Sequence, residues 1–131
     1  MRSTPLPYAL AQAEFRFPAL TAVAARLPLG SGRESAVAAL LAARLATSFV
    51  TGVALTPAQR AERGAAASHW LGSTCPDARM RAACISVADA AGSGDAAQAG
   101  RALARVQELL APIVSADARA ELAELVAALT A

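Results

Sequence analysis

Cys75, Cys84 and His69 are the side chains of this 131-residue sequence best suited to nucleophilic or thiol chemistry. Cys75 stands directly before Pro76 and Asp77, a proline and an acid that suit the first turn of a helix. A thiol at a helix N-terminus, with Arg79 one turn along, is expected to ionise more easily than a free cysteine, which makes Cys75 the candidate reactive thiol. His69 lies six residues upstream, so a Cys–His nucleophile pair is conceivable, but no third residue orients the imidazole. Cys84 lies nine residues beyond Cys75, about 13 Å along a helix at roughly 1.5 Å per residue. That is too far for a disulfide, and Cys84 reads as a small core residue.

Other chemistry is harder to build from these residues. There is one histidine, no Glu-x-x-His pair and no set of four zinc ligands, so neither a metal nor a cofactor is expected. Gly30-Ser31-Gly32 and Gly92-Ser93-Gly94 lack the Lys-Ser/Thr of a phosphate loop and read as linkers. Glu121 and Glu124 are spaced as a hydrated helix face. A thiol-dependent enzyme is therefore the lesser reading, and a protein without enzymatic activity the leading one.

The elements that must hold these residues are dictated mainly by alanine. It fills 38 positions, whereas lysine and asparagine are absent, a composition expected of a GC-rich, bacterial coding bias. Alanine gives up no side-chain entropy in a helix and hides no polar group, so the chain is biased to helix wherever proline and glycine allow. No segment alternates with a period of two. The expected fold is all-α, a compact bundle of about five to seven helices with mostly antiparallel neighbours and alanine-rich interfaces. A single domain is expected, with residues 1–32 as an N-terminal arm of short helices packed on a main body of residues 33–131.

Along the chain, four prolines divide the arm into helices expected at Tyr8–Phe15 and Pro18–Leu27. Arg33 to Leu55 reads as a long central helix with Val37, Leu41, Leu45, Phe49 and Val53 recurring every fourth residue. Thr56-Pro57-Ala58-Gln59 carries a capping box for a helix that stops at Gly72. The next helix, from Pro76, turns Met80, Cys84, Val87, Ala88 and Ala91 inward. Asp95 to Gln98 forms another capping pair, opening a helix with Ala99, Leu103, Val106 and Leu110 inside and Arg101, Arg105 and Glu108 outside. Pro112 stops it, and Ser115 caps a last helix with Ala118, Leu122, Leu125, Val126 and Leu129 inside and Asp117, Arg119, Glu121 and Glu124 outside.

Trp70-Leu71-Gly72, placed in a turn by this reading, resembles the Trp-X-Gly signature of small secreted helical-hairpin proteins. The resemblance covers three residues, and Pro57 and Pro76 interrupt the arms that run unbroken in that family.

The net charge of +2 arises from arginines scattered between Arg2 and Arg119, without the basic stripe that nucleic acid requires. Residues 35–55 are long enough to span a membrane, but Arg44 near their centre costs about 2.5–3.5 kcal/mol on insertion scales and leaves insertion near neutral at best. Pro5, Pro7, Glu14 and Arg16 interrupt the apolar run of a signal peptide, so a cytoplasmic protein is expected. The expected function is a small protein–protein interaction module, a regulator, adaptor or accessory subunit that self-associates as a homodimer or meets another protein. Tyr8, Phe15, Arg16 and Phe17 are its expected anchor, because aromatics and arginine dominate binding hot spots. The stretch Ala36 to Ala43 and the run Ala65, Ala66, Ala67 lack bulk and charge and are expected at close helix contacts. The alternative is a ligand sensor with a small apolar pocket near Phe49, Trp70 and Met80.

Overall fold

The computed structural model describes residues 17–28, 30, 32–50 and 55–131. Among them are six helices and no strand: α1 Pro18–Arg26, α2 Arg33–Thr47, α3 Pro57–Thr74, α4 Ala78–Ser93, α5 Ala96–Leu110 and α6 Ala116–Thr130. Helices α3 to α6 pack in succession across short connections, and α1 lies against α2 and α6. Helix α2 touches all five others, so the expected central helix is central in fact.

Its packing meets the expectation of close contact through Ala36 to Ala43 and reverses that for the stripe of larger residues. Ala36, Ala38, Ala39, Ala42, Ala43 and Ala46 are fully buried, while Val37, Leu41, Leu45 and Phe49 are only half-buried. A helix packed against five others can be approached closely only where its side chains are small, so alanine takes the inner face. The helix also ends earlier than expected. The hydroxyls of Thr47 and Ser48 donate to the carbonyls of Arg44 (2.6 Å) and Leu45 (2.8 Å), and the amides from Ser48 to Val50 fall back to the residue three before. Side-chain bonds of this kind compete with the helical ladder. Val53 and the expected helix Tyr8–Phe15 lie outside the described residues.

The caps follow the sequence more closely. Gln59 N–H donates to Thr56 Oγ1 (3.1 Å) and Thr56 N–H to Gln59 Oε1 (2.9 Å), completing the capping box. Asp95 accepts from Gln98 N–H (3.0 Å), but the Gln98 side chain turns instead to Arg101. Ser115 accepts from Ala118 N–H (3.3 Å).

Two boundaries differ. Helix α3 runs through Gly72, where an added Cβ would meet no atom within 4 Å, and ends at Thr74. The residue before a proline is pushed out of helical geometry, so Pro76 rather than glycine stops the chain. Trp70-Leu71-Gly72 is therefore helical, not a turn. Gly92 likewise belongs to α4 and lies against Gly64 of α3, while Gly94, at φ +78°, closes α4.

The core joins Phe17 and Leu20 of the α1 segment to Leu71, Met80, Val87, Leu103, Val106, Leu110 and Leu122. The expected inward residues of α4 and α5 are buried, as are Ala118, Leu122, Leu125 and Leu129 of α6.

Glu121 is the exception on α6. It does not face water as expected: its carboxylate accepts from Ala19 N–H (2.8 Å) and Leu20 N–H (2.9 Å) and so caps α1 from 101 residues away. Phe17, the N-cap residue, has no side chain able to do this. A carboxylate at the positive end of a helix satisfies two free amides and the helix dipole together. Glu121→Ala is expected to lower stability by about 1–2 kcal/mol, read as a shift in the urea midpoint. Glu124→Ala, on the exposed side, is expected to change it by less than about 0.5 kcal/mol.

Candidate interaction surface

The junction of α3 and α4 gives Cys75 a setting opposite to the expected one. Asp77, not Pro76, opens α4, its carboxylate accepting from Met80 N–H (2.9 Å). Cys75 instead ends α3, its N–H donating to the Leu71 carbonyl (3.1 Å), so it sits at the negative end of a helix. It is buried, and desolvation pushes its thiol above the usual range, the thiol donating weakly to the Asp77 carbonyl (3.8 Å). Arg81 rather than Arg79 is the nearby cation, and its guanidinium donates to the Cys75 carbonyl (3.0 Å). His69 is exposed whereas Cys75 is buried, so the pair is not brought together. Cys84 lies deeper still, its thiol pushed up to about 12 by burial and then by the neighbouring Cys75.

Both groups are neutral acids held protonated by the fold. Stability is expected to be full below the thiol pKa of the unfolded chain, near 9, and to fall as pH rises toward 12. Cys84→Ala should flatten that fall in urea titrations. At pH 8, a thiol reagent is expected to label the native chain at least about 100-fold more slowly than the unfolded chain.

The three residues of the expected pocket are placed apart in character. Met80 is in the core, Phe49 is half-buried with the Arg60 guanidinium 5.4 Å above its ring, and Trp70 is 41% exposed. The cavity beside Ser48 is lined by Leu45, Leu55, Arg60, Arg63 and Ala91 among others and holds about 30 Å³, room for a water or two. Arg60 and Arg63 line it together with Leu45 and Ser48 at the end of α2 and Ala91 near the end of α4. Among the described residues no three His, Cys, Asp or Glu side chains gather as a metal site. No helix among them is long and apolar enough to cross a membrane.

Of the expected anchor, Tyr8, Phe15 and Arg16 lie outside the described residues. Phe17 is fully buried, so its ring is already used inside the protein. The stretch Ala36 to Ala43 is covered mainly from within as well, whereas Ala65 and Ala66 face solvent and only Ala67 of that run is buried.

What remains is the outer side of α3. This is the longest described helix, 18 residues, yet it buries only Gly64, Ala67 and Leu71. The opposite side carries Ala58, Glu62, Ala65, Ala66, His69, Trp70 and Ser73, all exposed. On a 3.6-residue turn, Glu62, His69 and Ser73 fall along its centre and Ala66 and Trp70 beside them, toward Gln59 and Arg63. Covering the exposed part of Trp70, on the order of 100 Å², is worth about 2–3 kcal/mol. The four-residue step from Glu62 to Ala66 to Trp70 was the available sequence signal, masked by reading Trp70 as a turn residue. Compared with protein-family models, with curated proteins and with solved structures, the chain matches none.

Proposed function

We propose that this protein is a small helical interaction module, a regulator, adaptor or accessory subunit, that acts by covering the outer side of α3 with a helix of another protein chain. The observation that carries this reading is the mismatch on α3: the longest described helix buries three residues and leaves Trp70 41% exposed. Tryptophan is among the residues most often found at binding hot spots, and flanking alanines let a second helix come near. Two free, buried thiols fit a reducing, cytoplasmic setting.

A photo-reactive benzoylphenylalanine placed at Ala66 of the full chain, activated in the cells that make the protein, tests this. A protein adduct that is lost with Trp70→Ser is expected. The same label at Glu124, exposed on α6, is the control. No adduct at position 66 above that control would overturn the reading.

A further inference from the structure

We infer that the partner on α3 is a second copy of this chain, paired antiparallel about a two-fold axis between Ala65 and Ala66; this deepens the proposed function and rests on it. The argument is charge complementarity under symmetry. A two-fold pairing must be self-complementary, each residue i meeting a fixed counterpart. With the axis between Ala65 and Ala66, Glu62 of one copy faces His69 of the other, and the reverse pair forms by symmetry. Both residues are exposed and stand seven positions apart, two helical turns, so both lie near the centre of the same face.

The same axis disposes of the other exposed groups. Rotation keeps each flank of the face on its own side, so Trp70 comes between Gln59 and Arg63 of the other copy. Arg63 is exposed, and a guanidinium over an indole is a favourable contact. Ala65 and Ala66 meet their own counterparts at the axis, where a larger residue would hold the helices apart. Antiparallel alignment also sets the positive end of each α3 beside the negative end of the other. A parallel pairing would instead set Glu62 against Glu62 and place Trp70 on the opposite flank from Arg63 of the other copy. It is therefore disfavoured by the same charges that favour the antiparallel one.

Sedimentation equilibrium on the full chain reads the pairing. The wild-type chain is expected to dimerise, Glu62→Lys and His69→Glu each to weaken the dimer at least tenfold, and the double variant to recover most of that loss. Ala66→Cys should give a disulfide-linked dimer under mild oxidation and Ala58→Cys should not, because counterparts at position 58 lie about 22 Å apart along the helices at roughly 1.5 Å per residue. A monomer at all concentrations, a double variant no better than the singles, or linkage at position 58 in preference to 66 would each overturn the inference. Failure here is separable from failure of the proposed function: a Trp70-dependent adduct at position 66 with a different protein leaves the module standing and removes only the self-pairing.

Discussion

Phe17→Ala is expected to lower stability by about 3–5 kcal/mol, the cost of deleting a fully buried aromatic ring. Phe17 is 0% exposed and sits in the core beside Leu20. It precedes α1, whose first amides are held by Glu121 of α6, so its ring fixes the same segment that the carboxylate caps. Urea denaturation followed by circular dichroism measures the loss, and sedimentation equilibrium measures association at denaturant-free conditions. The two readings of this residue give opposite results. A partner anchor would lose association and keep stability, whereas a core residue loses stability and keeps whatever association α3 provides. A stability change under about 1 kcal/mol would remove Phe17 from the core as described.

The second large effect is expected at Gly64. A Cβ built there would stand 2.7 Å from the Ala88 carbonyl oxygen and 2.9 Å from Gly92 Cα, both backbone atoms of α4 that cannot swing aside. Gly64→Ala gains about 1 kcal/mol of helix propensity, but overpacking costs about 1–3 kcal/mol or more, and the α3–α4 contact must open. A net loss of about 1–2 kcal/mol is expected for alanine and about 3 kcal/mol for Gly64→Val, whose branched side chain adds two more atoms to the clash. Gly72 on the same helix is the internal control. Nothing lies within 4 Å of its added Cβ, so Gly72→Ala should stabilise by about 0.5–1 kcal/mol. Thermal or urea unfolding of the three variants checks the sign. If Gly64→Ala and Gly72→Ala both stabilise, the close approach of α3 and α4 is not as described.

A milder version of the same contact test lies across the interface. A Cβ on Gly92 would meet its nearest neighbour, the Arg60 carbonyl oxygen, at 3.5 Å, an ordinary contact. The two glycines face each other, yet only Gly64 is required to be small. Glycine spacing in the sequence carries no sign of that asymmetry, because both residues sit in equally alanine-rich surroundings.

The sequence by itself determined the all-helical class, the capping box at Thr56 and Gln59, the caps at Asp95 and Ser115, and the inner faces of α4 and α5. These follow from interactions within a few residues: propensity, capping bonds and the recurrence of apolar side chains every third or fourth position. Helix α5 was the most legible because its large apolar residues and its charges divide cleanly between two sides. Helix α2 was legible only in part: its alanines between Ala36 and Ala43 were expected at close contacts and are buried, but its larger residues were misplaced for the complementary reason. Periodicity assigns the larger residues inward, but crowding by five neighbours reserves the inner face for alanine, and only the assembled bundle contains those neighbours.

The tertiary structure alone decided the rest. Glu121 looked like one of several solvated carboxylates until α1 folded back onto α6 and offered it two free amides. Cys75 read as an activated thiol while it was placed in a helix N-terminus. Two residues of displacement of the helix start, with burial against the core, reverse the direction of its ionisation. Ala65 and Ala66 have the same composition as Ala42 and Ala43, yet the first pair faces water and the second pair is buried. Local sequence sets which residues are small, but which small surface is covered depends on how many helices the chain brings to each side.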